Sequence, residues 1–298
     1  MNTGRFRIIG IGEVLWDLLP QGRQMGGAPA NFAYHAKALG ADAAVITRVG
    51  KDELGDEILR RFKATGLPTE LVQIDPDYPT GTVSVKLSPD GVPDFIIHKP
   101  VAWDFLEVTD LALAAVRTAD AVCFGTLAQR TETSATAVQQ LVKAASGTAF
   151  RIFDINLRQN FYTPQTIEES LKLANVFKIN DAELRVVAHI FNLSGSVQNQ
   201  IEMLAERYRL RIVAVTFGAD GSLLYCDGHW SQYKPRPVKV VDTVGAGDAF
   251  TAALAIGLFK KLDPDKINYA ANEIAAYVCT QPGATPQLSG EVKGILGD

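Results

Sequence analysis

Val241-Asp-Thr-Val-Gly-Ala-Gly-Asp-Ala-Phe250 lies late in a chain of 298 residues and runs directly into the apolar segment Thr251–Phe259. Val238–Val241 is a β-branched run suited to a strand, and from Ala249 onward the composition is helical, so Gly245-Ala246-Gly247 is expected at the opening of a helix. The N–H groups of a helix's first turn lack intrahelical partners. Glycine there lets an anion come close, and the helix dipole favours its charge. The segment therefore reads as an anion hole. Asp248, in the first turn, is aimed at the same point. A carboxylate beside an anion site repels the ligand unless it does chemistry, and the chemistry that fits is taking a proton from an attacking hydroxyl. On this segment alone a plainer reading stays open, in which Asp248 only complements the dipole.

Elsewhere, short apolar runs alternate with helical segments. Arg7–Ile11, Ala43–Val49, Ala121–Phe124, Ala149–Asp154, Val176–Ile179, Ile212–Thr216 and Ser222–Tyr225 read as strands. Ala30–Leu39, Asp52–Thr65, Thr131–Ala145, Ile167–Lys172, Ala182–Ala188 and Ser196–Tyr208 read as helices between them. That order implies an α/β fold with a mostly parallel sheet and helices on both faces, and ligands gathered at the carboxyl ends of its strands. One stretch breaks the alternation. Thr82–Leu87 alternates polar and apolar residues, Ser88–Gly91 is a turn and Asp94–His98 returns, a hairpin with Val83, Val85 and Leu87 on one face. By itself this hairpin could also extend the edge of the main sheet.

Near the other end, Gly26-Gly27-Ala28-Pro29-Ala30-Asn31-Phe32-Ala33 opens a helical run that ends near Leu39-Gly40. Together with the late segment it resembles the paired signatures of the ribokinase/PfkB carbohydrate-kinase family, in order and at matching ends, so the likeness spans essentially the whole chain. The resemblance implies a ribokinase-like three-layer α/β/α sandwich in a single kinase domain over residues 1–298. It also implies a small β lid over the sugar, built from residues 13–25 and 80–104, whose edge can mediate a homodimer. The activity implied is transfer of a phosphoryl group from ATP to a sugar, with Mg2+ as cofactor and Asp248 as the base. The wording GGAPAN resembles bacterial fructokinases more than ribokinases, which tend to carry GGKGAN. D-Fructose is thus the expected acceptor, at O6; another ketose, ribose, 2-keto-3-deoxygluconate or a nucleoside remains an alternative within the family.

The resemblance distributes the remaining roles. Asp17, in Gly12-Glu-Val-Leu-Trp-Asp17, matches the carboxylate that binds sugar hydroxyls, and Gly27 and Asn31 match the sugar-binding positions of the first signature. Asn31 could instead satisfy a helix start, but Pro29 already occupies that start. Gly245, Ala246 and Gly247 would offer N–H groups to the transferred phosphoryl. Phe177-Lys-Ile-Asn180-Asp-Ala-Glu183 resembles the N-x-x-E element, in which Asn180 and Glu183 organise phosphate and hydrated Mg2+. Asp154-Ile-Asn156-Leu-Arg158 resembles the D-x-N-x-R segment of fructokinase-like members, making Arg158 a phosphate or substrate cation; a surface salt bridge is the competing reading. Thr216, Gly218 and Gly221 correspond to a nucleotide loop, and Asn272 with Gly283-Ala284 to the adenine side. Asp242 matches the position that helps enclose K+ in cation-activated relatives. At a helix N-terminus the Asp248 carboxyl is expected to be more acidic than usual, which a loose transition state tolerates.

Composition excludes other classes. With 47% hydrophobic and 21% charged residues the chain reads as an ordinary soluble globular protein. A net charge of −4 without Lys/Arg runs argues against a nucleic-acid surface. No apolar stretch is of membrane-spanning length and the N-terminus leads straight into a strand, so no membrane is expected and the cytoplasm is the expected location. Cys123, Cys226 and Cys279 are odd in number and far apart, and are expected as buried free thiols. The four histidines show no metal-ligand spacing. Gly10-Ile-Gly12 fails as a dinucleotide fingerprint because the third glycine would fall at Leu15, and no G-x-x-x-x-G-K-[ST] occurs. A catalytically silent sugar-binding relative would have lost Asp248, Gly245 or Gly247, and all three are present.

Overall fold

Ile8, Ile9 and Ile11 are all completely buried, which a strand achieves only when both faces of its sheet are covered. The computed structural model describes residues 6–20, 22–87 and 93–297, and its strands are Arg7–Ile11 (β1), Leu15–Leu19 (β2), Gly22–Gly26 (β3), Asp42–Gly50 (β4), Val72–Asp75 (β5), Gly81–Leu87 (β6), Pro93–Ile97 (β7), Ala121–Phe124 (β8), Phe150–Asp154 (β9), Val176–Asn180 (β10), Ile212–Thr216 (β11), Ser222–Cys226 (β12) and His229–Tyr233 (β13). The central sheet runs β13-β12-β11-β10-β9-β8-β1-β4-β5. It is parallel from β5 to β11, and β12 and β13 close one edge antiparallel.

The helices are Ala28–Ala38 (α1), Glu53–Ala64 (α2), Asp110–Arg117 (α3), Glu132–Ala144 (α4), Pro164–Leu173 (α5), Asp181–Phe191 (α6), Val197–Tyr208 (α7), Ala246–Phe259 (α8), Pro264–Cys279 (α9) and Gly290–Gly294 (α10). Side chains alternate across a strand, so Ile8 and Ile9 enter different cores. Ile8 packs with Val45 and with residues of α1, α8 and α9. Ile9 and Ile11 pack with Val122, Phe153 and residues of α4 to α7. Across three neighbouring strands of that second core, Phe124, Phe153 and Phe177 stack with ring centroids 5.3 and 5.5 Å apart. The result is three layers. α8 is apolar on every side, and Ala249 through Leu258 are all buried, as a helix of that composition must be. Among the described residues no helix is long and apolar enough to cross a membrane.

A second sheet, ordered β3-β2-β6-β7, stands apart from the first. β6 and β7 form the expected hairpin, with Val83 opposite Ile97, but it pairs with β2 and not with the edge of the central sheet. The Ser88–Gly91 turn lies outside the described residues. Val238–Val241 does not form the expected strand. Pro235 and Pro237 just before it cannot donate to a ladder, and Val238, Val240 and Val241 are 41%, 58% and 58% exposed. Val241 N–H instead donates to the Cys279 carbonyl at the end of α9. Of the three thiols only Cys123 is buried; Cys226 and Cys279 are half-buried.

Candidate active site

The late segment turns into α8 through Gly245, whose φ is +80°. A Cβ at Gly245 would sit 2.2 Å from the Ala284 carbonyl oxygen, so the turn is pressed against the Gly283-Ala284 loop and only glycine fits. Asp242 ties the same loop down: its carboxylate accepts from Val244 N–H and from Gly283 N–H, each at 3.0 Å. On the far side of that loop, His35 of α1 donates from Nε2 to the Ala284 carbonyl at 2.9 Å, and burial lowers its pKa to about 4, so it is a neutral donor. The anion hole and the first signature are thus fastened to one another.

Asp248 points into a cavity of about 990 Å³ at the carboxyl ends of β1, β9, β10 and β11. Asn31 Nδ2 donates to Asp248 Oδ2 at 2.8 Å, which brings the two signatures into direct contact. The expected acidity of Asp248 is not found. Burial, helped by the Asp154 charge, raises its pKa to about 6, outweighing the Asn31 hydrogen bond and the charges of Lys178 and Arg158. A carboxylate at that value is a competent proton acceptor near neutrality.

Gly27, with φ +111°, precedes α1, and a Cβ there would meet the Glu13 carbonyl oxygen at 2.5 Å. Glu13 is 2% exposed; Oε1 accepts from Ala28 N–H at 3.3 Å, and Oε2 has no partner among the described residues. Burial pushes its pKa up to about 7. Sequence reading passed over Glu13 except as the start of the lid, although a carboxyl immediately after a buried strand was the available signal. Asp17 reaches the same cavity from β2, its pKa raised by burial against the pull of Arg158. Arg158 lines the cavity and is exposed, and its Nη1 donates to the Leu157 carbonyl at 3.0 Å.

Below the first turn of α8, Lys178 of β10 pairs with Asp154 Oδ1 at 3.2 Å. Thr251 Oγ1 lies 2.8 Å from Asp154 Oδ2 and 2.9 Å from the Gly247 carbonyl. Neither Lys178 nor Asp154 was assigned a role from sequence. The Lys178 pKa is raised: the charges of Asp154, Glu183 and Asp248 overcome the cost of burial.

Asn180 and Glu183 form a capping box at the start of α6. Asn180 Oδ1 accepts from Glu183 N–H at 2.9 Å and Glu183 Oε2 from Asn180 N–H at 3.0 Å, while Glu183 Oε1 accepts from Leu157 N–H at 2.8 Å. Each carboxylate oxygen keeps a second lone pair, which suits water-mediated contact with a hydrated divalent ion and not direct chelation. Among the described residues no group of three His, Cys, Asp or Glu side chains could hold a metal directly. Thr216 and Gly218 also line the cavity.

Gly221, Ala246, Gly283 and Asn272 are not among its lining residues. Ala246 is the first residue of α8, so its backbone still belongs to the anion hole. Gly221 is required where β12 meets β13, since a Cβ there would fall 1.9 Å from the Tyr233 carbonyl oxygen. Asn272, placed on the adenine side from sequence, is 6% exposed and donates to Ser222 Oγ and the Asn268 carbonyl at 2.7 and 2.8 Å. One turn earlier Asn268 donates to the Ser231 carbonyl, so this face of α9 is turned to the sheet. Trp103 and Asp104, without a sequence assignment, are buried; Asp104 forms a two-point ion pair with the Arg130 guanidinium, at 2.7 and 2.8 Å.

With 33% identity over 83% of each chain, the fructokinase of Escherichia coli is one relative. The sugar kinase PH1459 of Pyrococcus horikoshii is another, at 30% identity over 95% of this chain and 93% of its own. The fold also matches the crystal structure of a fructokinase double mutant from Vibrio cholerae in its fructose, ADP and potassium ion bound form, with a TM-score of 0.82, 24% identity and coverage of 99% of this chain and 100% of that one. The family model for pfkB family carbohydrate kinases matches residues 21–289, and the chain belongs to that family.

Proposed function

We propose that this sugar kinase uses ATP to phosphorylate D-fructose at O6. The observation that carries the reading is the 2.8 Å contact between Asn31 and Asp248, which sets a hydroxyl-binding amide and a proton acceptor of pKa about 6 at one point beside the α8 N-terminus. The Escherichia coli relative, named a fructokinase, supports the choice of acceptor. Asp17 and Asn31 bind sugar hydroxyls, and the backbone at Gly27 lets the sugar lie close. O6 attacks the γ-phosphorus, the bond from phosphorus to the leaving oxygen of ADP breaks, and the O6 proton passes to Asp248. Because the transition state is loose, the hydroxyl becomes acidic only as the new bond forms. Gly245, Ala246 and Gly247 direct N–H groups at the phosphoryl oxygens, while Arg158 adds positive charge from the cavity wall.

Asn180 and Glu183 would hold the waters of a magnesium ion, which when bound would neutralise charge on the ATP phosphates. Thr216 and Gly218 lie along the nucleotide. Asp242, each of whose carboxylate oxygens keeps a second lone pair beside its backbone N–H, would help hold a potassium ion, the ion named in the Vibrio cholerae structure. The sheet of β2, β3, β6 and β7 acts as a lid that excludes water from the reaction.

Coupled ADP release with MgATP and a sugar panel led by D-fructose tests this, with Asp248→Asn alongside. Turnover on fructose that falls by about 10²–10⁴ in Asp248→Asn supports acceptor and base together. Preference for 2-keto-3-deoxygluconate or another panel member overturns the acceptor and keeps the mechanism. An inert panel with retained ATP binding favours a silent binding protein.

A further inference from the structure

Lys178 is placed where a cation is costly unless an anion joins it. Its residue is 7% exposed, it rises from β10 into the cavity, and its Nζ comes within 3.0 Å of the point a Cβ on Gly247 would occupy. That point lies on the first turn of α8, the positive end of the helix dipole, so ammonium and dipole repel one another. Asp154 offsets part of this at 3.2 Å, but its second oxygen is engaged by Thr251. A lysine carries three donors, and a single carboxylate oxygen does not satisfy them. Glycine at 247 is what admits the ammonium, since a side chain there would crowd it. A buried donor with spare protons, an uncapped helix start and a cavity between them form a built site for an anion.

We propose that Lys178 is a catalytic residue of the transfer, donating from Nζ to an oxygen of the phosphoryl group in flight. Asp154 and Thr251 are positioning residues that hold the ammonium under Gly247. This deepens the kinase reading above and rests on it. The interaction reaches the transferred group and not the ADP portion, so it separates ATP from ADP and strengthens as charge spreads over the phosphoryl oxygens.

The test compares Lys178→Met and Lys178→Arg with the parent in two assays: steady-state turnover with the preferred sugar, and calorimetric affinity for MgATP and MgADP without sugar. In Lys178→Met, kcat is expected to fall about 10²–10³-fold with the sugar KM within about threefold, as loss of one transition-state donor does. MgATP should weaken by about tenfold while MgADP stays within about twofold, and Lys178→Arg should recover part of both losses. Parent-like kcat in Lys178→Met, or equal weakening of MgATP and MgADP, overturns the assignment. If Lys178→Met does not fold, Lys178→Met/Asp154→Asn leaves no buried charge alone and carries the same comparison. A parent enzyme inert toward every sugar would sink the kinase reading, whereas the ATP-to-ADP ratio would still decide for or against Lys178.

Discussion

The amide of Asn31 donates to the carboxylate of Asp248 across 217 positions of sequence, at 2.8 Å. That bond favours the ionised carboxylate, while burial and Asp154 oppose it and leave a pKa of about 6. A base must be ionised to act, so kcat/KM should rise tenfold per pH step below about 6 and level off above it. In Asn31→Ala the carboxyl loses a donor, and the acid limb should move to higher pH together with a rise in sugar KM. A limb that stays in place in Asn31→Ala would mean that another group controls the profile.

Glu13 makes a prediction about stability. Its folded pKa of about 7 lies above the ordinary carboxyl value of 4.5 because burial disfavours the charge. The folded state therefore binds more protons than the unfolded one between those values, and the stabilising contribution present below pH 4.5 is lost as pH rises through 7. The difference amounts to roughly 3 kcal/mol above that window, at about 1.4 kcal/mol per pKa unit. Glu13→Gln removes the titration and keeps an oxygen for Ala28 N–H. Its melting temperature relative to the parent should be clearly higher at pH 8 than at pH 4. Parallel melting curves at both values would show that Glu13 does not titrate in that range.

The two signatures were legible because their chemistry is local. Gly245 to Asp248 sets an anion hole within one turn, and Pro29 sets the start of α1 within two residues. The alternation of β1, β4, β8, β9, β10 and β11 with helices was legible because parallel strands buried on both faces are short unbroken apolar runs. β2 and β3 were expected only through the family resemblance, as part of a lid over residues 13–25, since Leu15–Leu19 and Gly22–Gly26 owe their state to pairing with each other and with β6. Lys178 and Asp154 look like ordinary charged residues in strands, and only the register that sets Lys178 opposite Asp154 makes them a pair. The acidity expected of Asp248 failed for the same reason: the helix dipole is visible in sequence, but the burial that outweighs it is tertiary.

Gly245 is the least replaceable position of the anion hole. With φ at +80° and the Ala284 carbonyl oxygen 2.2 Å from any Cβ, alanine there meets both backbone strain and a collision with main chain. Gly245→Ala should cost about 1–3 kcal/mol and lower the melting temperature by several degrees. A Cβ at Gly247 would meet only the end of the Lys178 side chain and no main chain, so Gly247→Ala should lose less stability than Gly245→Ala while losing turnover. Similar melting temperatures for the parent and Gly245→Ala would show that the Gly283-Ala284 loop yields freely.

Asp104 and Arg130, neither of which lines the cavity of Asp248, form an ion pair in which the side chains are 1% and 2% exposed. The guanidinium also donates to the His98 carbonyl at 2.7 Å and lies 4.0 Å over the Trp103 ring, so Arg130 ties the chain after β7 to the start of α4. Removing one partner leaves the other buried and charged, which costs more than the pair contributes. Asp104→Ala should therefore destabilise by about 3–5 kcal/mol. The double variant Asp104→Leu/Arg130→Met, with both charges gone, should recover much of that loss. Chemical denaturation of the three proteins measures this directly. A single variant no less stable than the double one would mean that water reaches the guanidinium and that the pair is not sealed from solvent.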